Sequence, residues 1–219
     1  MEKVAILVNV GFYRRAAMRY WGEKSPKERA NELFDYCQRH LKVKGHLSDE
    51  LYRIFYYDCP PISKKVYHPL LKRTVDLGKS DLHDWMVNFL DELKGKRKVA
   101  LRKGMLAEAQ ACYTLKPDVV KKLTAGTLNV EELEEKHFIL NLDQKGVDMK
   151  IGIDIASLAY KKQVSKIVLI SGDSDFVPAA KLARREGIDF VLDPMHTDIK
   201  PELFEHIDGL WSCFKIEKK

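Results

Sequence analysis

The chain alternates short apolar runs with longer stretches of helical periodicity, and this alternation restricts the folds open to it. Lys166–Ser171 and Ile188–Leu192 are largely apolar runs. Helical spacing over Phe176–Glu186 separates them, and Gly187 follows it. A continuous apolar run of this length is typical of a strand buried on both faces, as in parallel sheets covered by helices. We therefore predict an α/β fold with a doubly wound, mostly parallel sheet flanked by helices.

The same pattern occurs earlier in the chain. Lys3–Val8 and Arg53–Tyr57 are short apolar runs, and the second is followed by an Asp-Cys-Pro-Pro turn signal at positions 58–61. Apolar residues recur at helical spacing over Val147–Lys162, directly before the apolar run at Lys166. Strands followed by helices in this order favour a parallel sheet with helices on both of its faces.

The middle of the chain, from about residue 67 to 135, is charged and mostly helical in period. Asp81–Leu93 carries a clear amphipathic stripe, and Asp118–Leu123 and Val130–Lys136 are plausible short helices. The chain has no internal repeat and no Gly/Ser-rich linker. We therefore predict a single domain over residues 1–219, with a mostly helical insertion at about 67–135.

Composition excludes several classes of protein. A hydrophobic share of 45% is too high for a disordered chain. No stretch approaches the roughly 20 apolar residues that span a bilayer, and the apolar N-terminal run is too short for a signal peptide. The four cysteines form no CxxC pair, so neither a zinc knuckle nor a disulfide scaffold is indicated. We expect a cytoplasmic protein with reduced thiols and no membrane partner.

The chain is basic, with a net charge of +6 and a pI near 9.0. This balance is compatible with a polyanionic partner, although solvated helix faces explain clustered basic residues equally well. Arg14 and Arg15 closely follow the first predicted strand, and Lys145 and Lys150 flank the start of a predicted helix. These four residues are our candidates for contacts with nucleic acid.

Polar residues stand where ligands bind in open α/β sheets, at the carboxyl ends of the predicted strands. Asn9 follows the first strand, and Asp173 and Asp175 follow the strand that ends at Ser171. Asp148 stands at the start of a helix, after Lys-Gly-Val at 145–147. Because a doubly wound sheet brings such positions together, Asn9, Asp148, Asp173 and Asp175 are candidate ligands for Mg²⁺ or Mn²⁺, ions that prefer oxygen ligands and bridge to phosphate.

Structural roles explain each of these residues individually. Asn9 and Asp148 could cap helices, Asp173 could form a turn, and Asp175 could be an N-cap. Asp154 lies about 240° around the helix from Asp148, so we expect it to be structural or supporting. The Asp-Pro pair at 193–194 is typical of a loop that follows a strand.

In combination, these motifs resemble the NYN domain family of PIN-like, metal-dependent nucleases. The resemblance rests on the first strand with its polar end, the KGVD motif at 145–148 and the SGDSDFVP motif at 171–178. It covers about residues 1–20 and 140–210 and implies a metal-dependent endoribonuclease. It also implies acidic residues at positions 9, 148, 173 and 175, which would hold Mg²⁺ or Mn²⁺ and act in catalysis.

One position departs from the family pattern, because Asn9 stands where the family usually has Asp. An amide offers an oxygen but no charge, and divalent affinity follows the number of charged ligands. An engineered inactivation, a natural loss of activity and a tolerated variant all remain open. The alternative function is therefore a non-catalytic module that binds nucleic acid or regulates on the same fold. A phosphatase of the haloacid dehalogenase type is disfavoured, because no carboxylate follows the first strand.

The resemblance also implies a nucleic-acid partner, and RNA is favoured over DNA. The backbone charge that a basic surface recognises is common to both, so the sequence does not identify the substrate. A homodimer is left open, and the sequence identifies no protein partner.

Overall fold

The computed structural model describes residues 1–43 and 46–215. The helices in chain order are α1 (Val10–Trp21), α2 (Pro26–Arg39), α3 (Asp81–Lys94), α4 (Pro117–Thr124), α5 (Val147–Tyr160), α6 (Val177–Arg185) and α7 (Pro201–Phe204). The strands in chain order are β1 (Lys3–Asn9), β2 (Lys42–Val43), β3 (His46–Leu47), β4 (Glu50–Asp58), β5 (Lys65–His68), β6 (Arg73–Asp76), β7 (Val99–Lys103), β8 (Met105–Leu106), β9 (Cys112–Leu115), β10 (Phe138–Asn141), β11 (Gln144–Lys145), β12 (Lys166–Ile170), β13 (Asp189–Asp193) and β14 (Gly209–Leu210).

Two compact units divide the chain. The first comprises residues 1–59, 88–104 and 146–219, and the second comprises 60–87 and 105–145. The prediction of one domain with an insertion at about 67–135 remains a prediction. No helix within the described residues is long and apolar enough to span a membrane.

The first unit is built on a parallel sheet, as the sequence predicted. Among the described residues, six strands pair in the order β14-β13-β12-β1-β4-β7, and every pair is parallel. The central strands β1 and β12 are almost wholly buried, which explains their continuous apolar sequences. The α/β fold class predicted from the sequence is confirmed.

The connections explain how helices cover both faces of this sheet. From β1 the chain passes through α1 and α2 to β4, and then to β7, always toward one edge. From β7 it returns through α5 to β12 and continues through α6 to β13, toward the other edge. Because parallel crossovers are right-handed, opposite directions put the two sets of helices on opposite faces. The packing of α5 against α6 agrees with this arrangement.

Helix ends follow the local sequence chemistry. Ser25 caps α2 and forms a reciprocal capping box with Glu28, with Pro26 at the first helical position. In α3, Phe89, Leu90 and Leu93 are buried, so the predicted amphipathic stripe serves the core.

The second unit contains short antiparallel ladders as well as helix. The strands pair as β5 with β6, β8 with β11 and β9 with β10. Helix α4 lies where a helix was predicted, but Val130–Lys136 forms two separate 3-10 turns, Val130–Glu132 and Glu135–His137. The ladders were not predicted, because strands of two to four residues show too few alternating positions to be recognised.

Candidate metal centre

The parallel sheet brings two of the predicted positions to the same edge. Asn9 is the last residue of β1, and Asp173 follows β12 by three residues. These strands pair directly, with Val8 opposite Ile170. Their connections leave in opposite directions, toward β4 and toward β13, which opens a crevice at their carboxyl ends. The site therefore lies where doubly wound sheets bind ligands.

Helix α5 brings a third side chain to this crevice. Asp148 is the second residue of α5 and is exposed. The Asn9 amide Nδ2 donates a hydrogen bond to Asp148 Oδ1, at 3.4 Å. Asp173 and Asp175 are also close enough for their charges to act on Asp148. The structure thus brings together all four residues that the sequence predicted as ligands.

The charges of this cluster are not balanced within the described part of the chain. Desolvation, followed by the charges of Asp173 and Asp175, raises the pKa of Asp148 above its usual value. No ion pair to Lys or Arg involves any of these three carboxylates among the described residues. Bringing carboxylates together without a cation opposes folding, and such an arrangement is typical of functional sites.

Asn9 turns its amide oxygen away from the carboxylates. As the N-cap of α1, its Oδ1 accepts a hydrogen bond from the backbone N–H of Phe12, at 3.4 Å. The amide nitrogen consequently faces Asp148. The capping role that the sequence left open is therefore present, and in this orientation Asn9 presents a donor to the cluster.

Asp173 also combines a turn with a position in the cluster. Its Oδ1 accepts a hydrogen bond from the backbone N–H of Asp175, at 3.0 Å, and caps the 3-10 turn Ser174–Phe176. Gly172 permits a close approach of α1, because a Cβ there would lie 2.8 Å from Cε2 of Phe12. The cap uses one carboxylate oxygen, and Oδ2 of Asp173 has no hydrogen bond among the residues described.

The donors fit a hard divalent ion that keeps part of its water shell. Asp148, Asp173 and Asp175 supply carboxylate oxygens, which Mg²⁺ and Mn²⁺ prefer. Their oxygens are not all within 4.8 Å of one another, because the one group of three or more potential ligands that meets this limit among the described residues is His40, Asp193 and Cys213. Mg²⁺ usually binds one or two carboxylates directly and retains several waters, so the wider spacing is compatible with it.

Asp154 belongs to a separate, structural interaction. It is buried on α5 and accepts hydrogen bonds from Tyr57, at 2.8 Å, and from Arg102 Nε, at 2.7 Å. A second bond from the Arg102 guanidinium makes the ion pair bidentate. These contacts fix α5 against β4 and β7 and thereby orient the helix that carries Asp148.

Asp193 is not the loop residue that the sequence suggested. It ends β13 and is fully buried. Its Oδ2 contacts the Tyr36 hydroxyl at 2.5 Å and His40 Nε2 at 2.8 Å, while Oδ1 accepts from Ser212 Oγ at 2.9 Å. Asp193, His40 and Cys213 form a group in which one potential ligand atom of each residue lies within 4.8 Å of the other two. Burial and then Asp193 raise the pKa of the Cys213 thiol, so this cysteine is not an activated nucleophile.

The four basic candidates differ in their surroundings. The Arg14 guanidinium lies 3.8 Å from Asp58 and is only 28% exposed. Arg15 is exposed, and its Nη1 and Asn9 Oδ1 both lie within 4 Å of the point where a Cβ on Gly11 would stand. Arg15 is therefore an exposed basic residue close to Asn9.

The two lysine candidates, Lys145 and Lys150, are both exposed. Lys150 on α5 is exposed and donates to the backbone carbonyl of Lys103. Lys145 ends β11 in the second unit and is exposed. Neither side chain forms an ion pair among the described residues.

Comparison with known proteins assigns the chain to a family and finds similarity to a solved structure. The family profile described as NYN domain matches residues 82–200, which include Asp148, Asp173 and Asp175 but not Asn9. No curated protein matches the chain. A crystal structure of a protein of unknown function from Vibrio parahaemolyticus is similar at a TM-score of 0.46 and 14% identity, over 95% of this chain and 91% of that one.

Proposed function

The chain belongs to the NYN domain family of PIN-like nucleases, and from this premise we propose that it is a metal-dependent endoribonuclease. Asp148, Asp173 and Asp175 hold Mg²⁺ or Mn²⁺, and Asn9 occupies the remaining family position. The observation that carries this proposal is the convergence of three carboxylates at the sheet crevice without a basic partner among the described residues.

The proposed chemistry is hydrolysis of a phosphodiester bond. Asp148, Asp173 and Asp175 would hold a divalent ion, which would supply activation of water and stabilisation of charge on the phosphate oxygens. Asp148 and Asp175 line one side of the crevice, and Asp173 is held by the turn that it caps. Asn9 restrains the Asp148 carboxylate through its amide nitrogen. The protein therefore supplies fixed negative charge and orientation.

An apolar cleft beside the carboxylates supports a nucleic-acid substrate. It has a volume of about 390 Å³, and Asp148 and Asp175 lie at its margin. Met149, Phe176 and Leu182 supply apolar lining next to these acids. Such a surface can accept a nucleobase while the adjoining phosphate meets the ion, and unpaired bases of single-stranded RNA are available for this contact.

A non-catalytic RNA-binding module is the second candidate, and the orientation of Asn9 favours it. The Asn9 amide gives Asp148 a hydrogen-bond donor in place of a charged ligand for the metal. A site with fewer charged ligands binds divalent ions more weakly. The fold and the exposed Arg15 would then serve binding alone.

Cleavage of labelled single-stranded RNA separates these candidates. The wild-type chain, Asn9→Asp and Asn9→Asp/Asp173→Asn are incubated with Mn²⁺ and with EDTA. We expect Asn9→Asp to cleave faster than the wild type, because a fourth carboxylate strengthens ion binding. Cleavage should disappear with EDTA and in the double variant.

A matched control adds the same charge elsewhere. Asn31 lies on the exposed face of α2, where its side chain accepts a hydrogen bond from Lys96. Asn31→Asp should therefore leave the cleavage rate at the wild-type level. Absence of cleavage in wild type and Asn9→Asp, on both RNA and DNA, would overturn the nuclease proposal. Retained binding of RNA in that case would support the second candidate.

A further inference from the structure

A second cluster of metal-binding side chains is built from residues outside the carboxylate centre. His40 directly follows α2, Asp193 ends β13, and Cys213 follows β14. One potential ligand atom from each residue lies within 4.8 Å of the other two. Three distant parts of the sequence thus supply a nitrogen, an oxygen and a sulfur donor to one point.

Two of the three side chains in this cluster are fully buried. The side chains of His40 and Asp193 are both 0% exposed, and Nε2 of His40 lies 2.8 Å from Asp193 Oδ2. The other ring nitrogen, Nδ1, is also buried and has no hydrogen-bond partner among the described residues. Because buried polar atoms are normally paired, the hydrogen bonding of the His40 ring is incomplete among the described residues.

We propose that His40, Asp193 and Cys213 bind Zn²⁺ or a transition-metal ion of similar ligand preference. Imidazole, carboxylate and thiolate together suit Zn²⁺, whereas Mg²⁺ and Mn²⁺ select oxygen ligands. Zn²⁺ binds nitrogen and oxygen at about 2.0–2.2 Å and sulfur at about 2.3 Å, so atoms within 4.8 Å reach a common ion through small movements. The ion is therefore different in kind from the one proposed for the acidic centre.

The surroundings of the cluster contain a second thiol. Cys37 is fully buried on α2, three residues before His40, so both side chains project from the same side of the helix. Asp193 and Cys213 lie close enough to Cys37 for their charges to act on it. A second sulfur close to the cluster adds to the soft character that favours zinc over magnesium.

Zinc binding changes the state of Cys213 in a defined way. The S–H bond breaks, a bond between zinc and sulfur forms, and the proton passes to solvent. The ion then ties the segment after β14 to α2 and β13. The segment is also held by the hydrogen bond from Ser212 to Asp193 and by aromatic contacts, including Trp211 at 5.3 Å from His40 and Phe214 at 6.0 Å from Tyr36, measured between ring centroids. The inferred role of the ion is structural.

Cobalt substitution tests this site without reference to nuclease activity. The full chain is stripped of metal and titrated with Co²⁺, and the thiolate-to-cobalt band is measured in the near ultraviolet. We expect the band to saturate at about one ion per chain and to be abolished by Zn²⁺, as for a single thiolate site. Cys213→Ser should lose the band, whereas Cys112→Ser, which removes an exposed thiol, should retain it.

Alkylation of the wild-type protein keeps the proposal testable if Cys213→Ser fails to fold. Zn²⁺ should slow modification of Cys213 by iodoacetamide at least tenfold and leave the rate at Cys112 unchanged, as read by peptide mass spectrometry. Asp173→Asn should show the same protection, because the acidic centre is not involved. Absence of the cobalt band, or equal alkylation of Cys213 with and without Zn²⁺, would overturn the proposal.

Discussion

Replacing Asp148 by Asn should stabilise the metal-free protein and remove its response to metal. Asp148 lies against the charges of Asp173 and Asp175, which raise its pKa after the contribution of desolvation. Ionising this carboxyl therefore costs folding free energy that an amide does not incur. The substitution preserves size and shape, so the electrostatic change dominates the comparison.

The pH dependence fixes the sign of this effect. Below about pH 3.9, the ordinary pKa of Asp, the carboxyl is protonated in both the folded and the unfolded chain. The stability difference between the two proteins is then smallest. As the pH rises through the raised pKa of the folded state, the wild type loses stability relative to Asp148→Asn. Solvent screening at this exposed carboxyl limits the loss to about 0.3–1 kcal/mol.

Thermal unfolding with and without Mn²⁺ measures both parts of the prediction. Near pH 7 without metal, Asp148→Asn should melt about 1–4 °C above the wild type, given 2–4 °C per kcal/mol for a chain of this length. At 100 times Kd, Mn²⁺ should stabilise the wild type by about 2.7 kcal/mol and the variant far less. The order of the two melting temperatures should therefore invert.

Asp118→Asn is the matched control. Asp118 is also exposed and is also the second residue of its helix, α4, but it lies outside the cluster of Asp148, Asp173 and Asp175. Its substitution should lower stability slightly, since a favourable interaction with the helix dipole is lost. If Asp148→Asn lowers the melting temperature as Asp118→Asn does, the inferred repulsion among the three carboxylates is refuted.

Two further pairs of variants test the geometry around the centre. Gly172→Ala places a methyl group 2.8 Å from the ring of Phe12 and should lower the free energy of unfolding in urea by about 1–3 kcal/mol. In α5, the methyl group of Gly152→Ala meets nothing within 4 Å, so this substitution should raise the free energy of unfolding by about 0.5–1 kcal/mol. Equal effects of these two would contradict the close packing of α1. Arg15→Gln should weaken RNA binding and reduce by about 1 the slope of log binding constant against log salt concentration. Arg19→Gln, on the same helix, should leave this slope unchanged. Equal slopes for the two variants would show that Arg15 does not contact the RNA backbone.

The sequence by itself determined the class of the fold and indicated which residues could form a carboxylate centre. Continuous apolar strands such as Lys166–Ile170 indicate burial on both faces, which is typical of a parallel sheet between helices. The polar residues after two of these strands could then be assigned to one edge of the sheet. Asp148 was found through its motif, because its position on a helix gives no signal of its own.

The tertiary structure alone decided how individual side chains are used. Asp193 and Asp173 look alike in sequence, as aspartates at or just after a strand, yet one is buried among Tyr36, His40 and Ser212 and the other faces the crevice. The direction of the Asn9 amide depends on a helix cap and on a carboxylate 139 residues away. Such contacts depend on long-range packing, and local periodicity does not encode which distant side chain will be the partner.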